Sequence, residues 1–258
     1  MHSILDPEQD RLVAPTPCAL AIMTKAPRAG TVKTRLQPPL TAMEAAELNV
    51  RCLRDIAAAI VCVGREAKGV GVFTPAGSEG DYINVLPSDF VLIPQRGDSF
   101  GERLMNAVTD LLRVGFESCC LINSDSPTVT ADAFRQAVIE LQGADDSIVL
   151  GPADDGGYYL IGMRKPYHRL FEDIDWSTER VFTQTMERAR ELTLSVHILP
   201  NFYDVDDAQT LWRLCRELLD EKSADVAPAT RKFLAELIAR DGRERLCPPG
   251  CHPEPRRR

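Results

Sequence analysis

Short apolar runs alternate along the chain with segments in which apolar residues recur at helical spacing. The strand-like runs lie at residues 19–23, 70–73, 91–94, 119–122, 147–150 and 194–199. The helix-like segments lie at residues 41–63, 100–114, 130–141, 178–192, 208–219 and 229–239. Because the strands lack polar alternation and helices separate them, the pattern predicts a mainly parallel sheet with helices on both faces, a three-layer α/β/α fold.

Two features of this pattern locate a first helix and a ligand-binding edge. Thr41 followed by Glu44 is typical of a capping box, so a helix is expected to begin after Thr41. In parallel sheets ligands collect at the carboxyl ends of strands. The loops that start at Lys25, Asn123 and Gly151 are therefore expected on one rim of the sheet.

The length and composition fit one soluble globular unit. The chain has 258 residues, of which 44% are hydrophobic and 26% charged. No repeat or long linker divides the chain, so we expect a single domain at residues 17–241. Residues 1–16 and 242–258 are expected to be flexible ends.

The net charge and the cysteine content restrict the kinds of binding partner and the cellular compartment that we expect for this protein. A net charge of −8 argues against a general nucleic-acid binder, and no apolar run approaches the ~20 residues that span a bilayer. Eight cysteines without a C-x-x-C pair favour reduced thiols in the cytoplasm. Cys247, Cys251 and His252 could touch a metal ion, but they lack a fourth ligand. The sequence does not indicate an oligomeric state.

The basic segment at residues 25–36 follows the first predicted strand. It carries four cations in a chain that has no acid between Arg11 and Met43. Such a loop can cradle several phosphates through backbone N–H groups and fixed cations, although a solvated basic loop is the alternative. The candidate nucleotide-binding residues here are Lys25, Pro27, Gly30, Lys33 and Arg35.

Acidic loops follow later strands and offer ligands for a divalent cation. Asp125 comes just after the strand at 119–122, and Asp204 and Asp206 precede the helix at 208–219. Mg²⁺ (or Mn²⁺) usually takes one or two carboxylates together with substrate phosphates and water. The alternatives are a turn role for Asp125 and helix capping by Asp206 or Asp207.

Two further segments are candidates for contact with other parts of a bound ligand. Gln95, beside Gly97, could recognise a nucleotide base through paired amide hydrogen bonds, or it could be an ordinary exposed glutamine. Trp176 could form a lid or one wall of an acceptor pocket, with helix capping as the alternative for Ser177 or Thr178. The further candidates for ligand contact are Asp155, Gly156, Gly157, Tyr158, Trp176, Ser177 and Thr178, although the two glycines could instead form a tight hairpin.

Taken together, these segments resemble the domain-of-unknown-function family DUF2064, within the nucleotide-diphospho-sugar transferase superfamily of glycosyltransferase-A fold. No Walker motif, G-x-G-x-x-G or G-x-S-x-G motif points elsewhere. The matching stretches run in order at residues 25–36, 95–103, 123–127, 151–162, 176–178 and 203–206.

The resemblance implies a role for each group. Lys25, Lys33 and Arg35 would contact donor phosphates, while Gln95 and Gly97 would lie near the base. Asp125 with Asp204 or Asp206 would hold Mg²⁺, and Asp155 with its glycines would face the acceptor. We take Lys33, Arg35, Asp125 and Asp155 as the candidate catalytic residues. Two positions depart from relatives: Asn123 stands where many have Gly, and Asp207-Ala208 replaces Thr-Pro.

Three functions remain open from the sequence. Nucleotidyl transfer from a nucleoside triphosphate to a small phosphate- or phosphonate-bearing acceptor is favoured by the dense basic loop. Glycosyl transfer from a nucleotide sugar is favoured by Asp154-Asp155 and Trp176, since inversion needs a carboxylate base. A non-catalytic nucleotide-binding subunit would keep the fold without turnover, but the retained acids argue against it.

Overall fold

The strands of the molecule form one central sheet in the computed structural model, which describes residues 2–12, 16–143, 146–220 and 226–248. They are β1 (Ser3–Ile4), β2 (Thr16–Lys25), β3 (Ala67–Thr74), β4 (Val91–Pro94), β5 (Phe116–Ile122), β6 (Ser147–Pro152), β7 (Tyr158–Met163) and β8 (Ser195–Ile198). Their order across the sheet is β1-β4-β3-β2-β5-β7-β6-β8. The pairs are parallel except those of β7, which runs antiparallel to both β5 and β6.

Helices pack on both faces of this sheet. They are α1 (Ala42–Val61), α2 (Phe100–Val114), α3 (Ala131–Glu140), α4 (Val181–Glu191), α5 (Ala208–Asp220) and α6 (Pro228–Asp241). Along β2, Leu20 and Ile22 join a cluster with α1 and α3, whereas Ala19 and Ala21 join a cluster with α2 and α4. Successive residues of a buried strand thus supply opposite layers. The predicted three-layer α/β/α architecture is confirmed.

A third apolar cluster lies outside the sheet, where α5 and α6 pack on α1. Leu48 and Cys52 of α1 contact this cluster, while Leu53 and Ile56 of the same helix contact the sheet. Asp55 accepts hydrogen bonds from the backbone N–H groups of Ala229 and Thr230, at 2.9 and 2.8 Å, and so caps the start of α6. Helix α1 therefore joins the α5–α6 pair to the body of the molecule.

The helix starts follow from local chemistry. The capping box at Thr41 and Glu44 is confirmed, because each side chain bonds the backbone N–H of the other. Ser99 and Glu102 form a second capping box at α2. Helix α4 begins at Val181, three residues later than its predicted start, and the Val181 N–H bonds the Thr178 carbonyl in a turn that precedes the helix.

Two other features differ from the sequence prediction. The segment 158–163 is an antiparallel strand that the apolar pattern alone did not separate from the preceding glycine turn. The ends also pack on the domain where they are described: β1 pairs with β4, and a 3₁₀ turn at Arg243–Leu246 buries Leu246. At these described residues strand pairing and an apolar contact hold the chain, and the domain bounds 17–241 stay a prediction.

Among the described helices, none combines the length and the apolar character needed to cross a membrane.

Candidate active site at the carboxyl edge of the sheet

Loops from five parts of the chain meet at the carboxyl edge of the parallel strands. They surround a cleft of about 590 Å³. Because β7 is antiparallel, its first residue lies beside the last residues of β5 and β6, which brings the turn at 153–157 to this rim. The polar residues lining the cleft are Arg35, Asn123, Asp125, Asp155, Tyr158, Tyr159, Ser177, Thr178, Glu179, Asp204 and Asp206.

The candidate cation Lys33 and the candidate carboxylate Asp125 are in direct contact. Lys33 Nζ donates to Asp125 Oδ1 at 2.7 Å and to the Val205 carbonyl at 2.9 Å. Only 2% of the Lys33 side chain is exposed, against 33% for Asp125. Burial alone would lower the pKa of Lys33, but the Asp125 carboxylate raises it above the ordinary value, so the ammonium stays charged.

Asp204 is a partly buried acid in the lining of the cleft. Its Oδ1 accepts hydrogen bonds from Asn123 Nδ2 at 2.7 Å and from the Ser126 hydroxyl. Burial raises the pKa of Asp204 to about 7, with the Asp125 and Asp155 carboxylates acting in the same direction and the Ser126 and Asn123 donors against it. Asn123 and Ser126 therefore orient Asp204.

The loop at 203–207 separates a capping acid from a cleft acid. Asp207 accepts a hydrogen bond from the backbone N–H of Thr210 at 2.8 Å, as expected of a residue that caps α5. Asp206 makes no side-chain hydrogen bond to the residues that the structure describes, and it lines the cleft. Burial, followed by repulsion from Asp125, raises the pKa of Asp206.

These carboxylates fit a divalent cation that shares its shell with a ligand. Within the described chain, no three or more His, Cys, Asp and Glu side chains form a ready-made metal cage. Mg²⁺ does not need one, because it usually keeps waters and binds one or two carboxylates with substrate phosphates. Asp204 and Asp206 are partly buried acids whose ionisation is opposed by desolvation and by the neighbouring carboxylates, so added positive charge would favour the ionised form of both.

An aromatic wall closes the other side of the cleft. Phe100 and Trp176 meet edge to face with ring centroids 5.1 Å apart, and Phe100 is 53% exposed. Gly101 lies directly under this pair, since a Cβ there would come within 2.8 Å of Trp176 Nε1. The wall gives this side of the cleft an apolar surface.

The glycine turn before β7 packs against the loop after Trp176. Gly156 has φ +85°, and a Cβ there would lie 2.3 Å from the Glu179 carbonyl oxygen. Asp155 Oδ1 accepts from the Gly157 N–H at 2.9 Å, and the side chain lines the cleft. Asp154 instead pairs with Arg213 at 2.5 Å. Of the two neighbouring acids, Asp155 is the one at the cleft.

The remaining candidates lie outside the cleft lining. Lys25 and Gly30 are exposed on the loop after β2, and Pro27 lies between them. Gln95 Nε2 donates to the Thr24 and Val72 carbonyls at 3.1 and 2.8 Å. Both hydrogen bonds lie within the sheet, and the role of Gln95 at a nucleotide base stays a prediction.

Gly97 is also occupied by local packing. It has φ +120°, and a Cβ there would come within 2.8 Å of Glu102 Cβ at the start of α2. Its glycine is explained by this close approach, without reference to a nucleotide base.

The sequence interpretation missed several residues of the cleft. Asn123 was noted only as a departure from relatives, and Ser126 was not singled out, although both flank Asp125 in one short motif. The sequence offers a sign of the aromatic wall at Phe100, which is a large apolar residue at the start of a helix, directly after the capping residue Ser99. The apolar floor of the cleft could not be told from ordinary core residues in the sequence. It consists of Met23, Leu104, Leu121, Ile161 and Val181.

A family model described as "Uncharacterized protein conserved in bacteria (DUF2064)" matches residues 59–178. The predicted resemblance to DUF2064 is thereby confirmed. The region matched to DUF2064 includes Gln95, Asn123, Asp155 and Trp176, but not the basic loop at 25–36 or the acidic loop at 203–206. No curated protein matches the chain.

Solved structures share the fold over most of the chain. A candidate nucleotide-diphospho-sugar transferase from Desulfovibrio desulfuricans G20 is 28% identical with a TM-score of 0.78, covering 88% of this chain and 96% of that one. A cytidylyltransferase from Leptospira borgpetersenii serovar Hardjo-bovis is 10% identical with a TM-score of 0.51, covering 88% and 94%. A CMP:2-keto-3-deoxy-manno-octonic acid synthetase complexed with CTP is 9% identical with a TM-score of 0.50, covering 77% and 96%. At such low identity the last two show the fold alone.

Proposed function

We propose that this protein is a nucleotide-using transferase that moves a nucleotidyl group from a nucleoside triphosphate to a small acceptor bearing a phosphate or phosphonate. The observation that carries the proposal is the meeting of Arg35, Asp125, Asp155, Asp204 and Asp206 around one cleft at the carboxyl edge of the sheet. The fold shared with a candidate nucleotide-diphospho-sugar transferase supports the same class.

Each side of the cleft has a distinct task in this proposal. Arg35, which lines the cleft, and Lys25, which is exposed at the end of β2, would neutralise donor phosphates. Asp125, Asp204 and Asp206 would hold Mg²⁺ or Mn²⁺, which would neutralise charge on the phosphate oxygens. Asp155 and Trp176, with Gly156, Gly157, Tyr158, Ser177 and Thr178, would form the acceptor side.

The chemical step needs no proton acceptor from the protein. An anionic oxygen of the acceptor would bond to the α-phosphorus. The bond from that phosphorus to the oxygen bridging the α- and β-phosphates would break, with its electron pair going to the pyrophosphate that leaves. Because the acceptor is already ionised, the protein contributes position and charge neutralisation. Among the residues that the structure describes, no histidine lines the cleft, in keeping with such a step.

Glycosyl transfer is the second candidate, and a specific observation favours it. Asp155 lines the cleft as a carboxylate whose partner is a single backbone N–H, so it could accept the proton of an acceptor hydroxyl. The donor would then be a nucleotide sugar, and a nucleoside diphosphate would leave.

Thermal shift measurements with purified protein separate the candidates. Each nucleoside triphosphate and each common nucleotide sugar would be added with and without Mg²⁺ or Mn²⁺, because a bound ligand stabilises by RT ln(1 + [L]/Kd). We expect metal-dependent shifts with triphosphates. Shifts with nucleotide sugars alone would support glycosyl transfer, and no metal-dependent shift would support a non-catalytic subunit.

A pair of variants ties the response to the cleft. Asp125→Asn should abolish the metal-dependent shift. Asp132→Asn, an exposed acid of α3 that pairs only with Arg135 among the ion pairs of the described chain, should keep it. Equal responses in the two variants would place the nucleotide elsewhere and end the proposal.

A further inference from the structure

Lys33 differs from the other cations of its loop in being buried. Thr34 and Arg35 beside it are exposed, and Arg28 pairs with Asp81 at the surface. The Lys33 side chain is only 2% exposed. A buried ammonium needs charge and hydrogen-bond partners, since its transfer from water is otherwise very costly.

The partners of Lys33 come from two distant loops. Asp125 Oδ1 and the Val205 carbonyl accept from Nζ, and the Val205 N–H donates to the Asp125 carbonyl at 2.9 Å. These three contacts connect the loops after β2 and β5 to the segment before α5. Lys33 also has a left-handed backbone (φ 46°), which non-glycine residues adopt only when their surroundings fix it.

This arrangement leaves Lys33 poorly placed for a donor phosphate. Its ammonium already has a carboxylate and a carbonyl as acceptors, and Lys33 is not among the residues that line the cleft. Arg35, two residues later, does line it. The sequence interpretation grouped both residues on the phosphates, and only the exposed one is free to act there.

We propose that Lys33 is a positioning residue, an internal cation that holds Asp125 against the Val205 segment and competes with the divalent cation for that carboxylate. The inference rests on the proposed metal-dependent function. Because a divalent ion and an ammonium repel each other, Lys33 weakens metal binding at Asp125 even though Asp204 and Asp206 face the same cleft, and further negative charge offsets this repulsion. Donor phosphates supply that charge, so the metal binds tightly only together with the nucleotide.

The experiment measures Mn²⁺ binding to the protein alone, by isothermal titration calorimetry and by thermal shift. The variants are Lys33→Met, which keeps the length of a buried side chain without its charge, and Lys33→Gln, which keeps a hydrogen-bond donor. Lys232→Met, an exposed lysine of α6, is the matched control. The double variant Lys33→Met/Asp125→Asn tests whether any change passes through Asp125.

We expect Lys33→Met to bind Mn²⁺ on the order of tenfold more tightly than the parent protein in the absence of nucleotide. Lys33→Gln should change in the same direction, Lys232→Met should not change, and the double variant should lose the gain. A purely structural role would lower the melting temperature of Lys33→Met and leave Mn²⁺ affinity unaltered.

Two outcomes overturn the inference. Equal Mn²⁺ affinity in the parent and in both Lys33 variants, including no binding in any of them, removes the competition. Loss of nucleotide binding in Lys33→Met with unaltered Mn²⁺ binding makes Lys33 a phosphate ligand instead. In either case a metal-dependent nucleotide shift in the parent protein leaves the proposed function standing, whereas absence of that shift ends the proposed function itself.

Discussion

At the scale of single residues, the cleft depends on neutral donors that hold acids in place. Asp204 sits between Asn123 and Ser126, both of which follow β5, while Asp204 itself comes from the segment before α5. The sequence showed three acids in two loops, but it did not show which acid would be buried. That choice depends on contacts between residues about 80 positions apart, as for Asn123 and Asp204.

Removing the amide of Asn123 tests this arrangement. In Asn123→Ala the buried Asp204 keeps only the Ser126 hydroxyl of its two side-chain donors, so its charged form is less favourable. We expect metal-dependent nucleotide affinity to fall roughly tenfold, as measured by titration of the thermal shift. Asn201→Ala, which removes an asparagine that bonds Asp154 outside the cleft, should leave the affinity unchanged. A similar loss in both variants would contradict a specific role for Asn123.

At the scale of elements, the sequence predicted helices that have a local signal, and it missed the strand that is defined by its pairing with other strands. Helices α1 and α2 were predicted with accurate starts, α1 from its capping box and α2 from its apolar spacing. Strand β7 was missed because its apolar run follows a glycine turn and looks like its continuation, and only pairing with β5 and β6 defines it. The partners of Gln95 on β2 and β3 were missed for a similar reason, since they are visible only in the folded sheet.

The start of α1 is also joined to the end of α6 through Glu44. Its carboxylate accepts from the Thr41 N–H and from the guanidinium groups of Arg240 and Arg245. Hydrogen bonding from Arg245 is the main reason that the pKa of Glu44 falls from 4.5 to about 2. Because the folded pKa lies below the unfolded one, this stabilisation is present above pH 4.5 and is lost as the pH falls towards 2.

Glu44→Gln should therefore destabilise the protein in a pH-dependent way. At pH 7 we expect a loss on the order of 2 kcal/mol in the free energy of unfolding, measured in urea, and a much smaller difference from the parent near pH 3. Glu47→Gln, on the same helix with a more exposed ion pair to Arg51, should cost far less. A loss that is constant between pH 7 and pH 3 would show that the carboxylate charge is not the cause.

At the scale of the whole molecule, the three apolar clusters are joined rather than separate. Helix α1 contributes to the sheet cluster through Leu53 and Ile56 and to the outer cluster through Leu48 and Cys52. Because β2 places alternate residues in the clusters on the two faces of the sheet, contacts run from the aromatic wall of the cleft through both sheet clusters and α1 to α6. The sequence indicated one domain from the absence of a linker, and shared packing of α1 supplies a physical reason to expect one unfolding unit.

The two tryptophans allow this expectation to be tested at opposite ends of the molecule. Trp176 belongs to the aromatic wall of the cleft, whereas Trp212 of α5 packs against the outer cluster. Trp212→Phe leaves only the cleft reporter and Trp176→Phe leaves only the outer one, since the chain has two tryptophans. If α1 couples the clusters, the fluorescence midpoint in urea should equal the far-ultraviolet circular dichroism midpoint within each variant. An earlier midpoint for Trp212 fluorescence would mean that α5 and α6 separate first, and the contact of α1 with both clusters would then be too weak to make the fold cooperative.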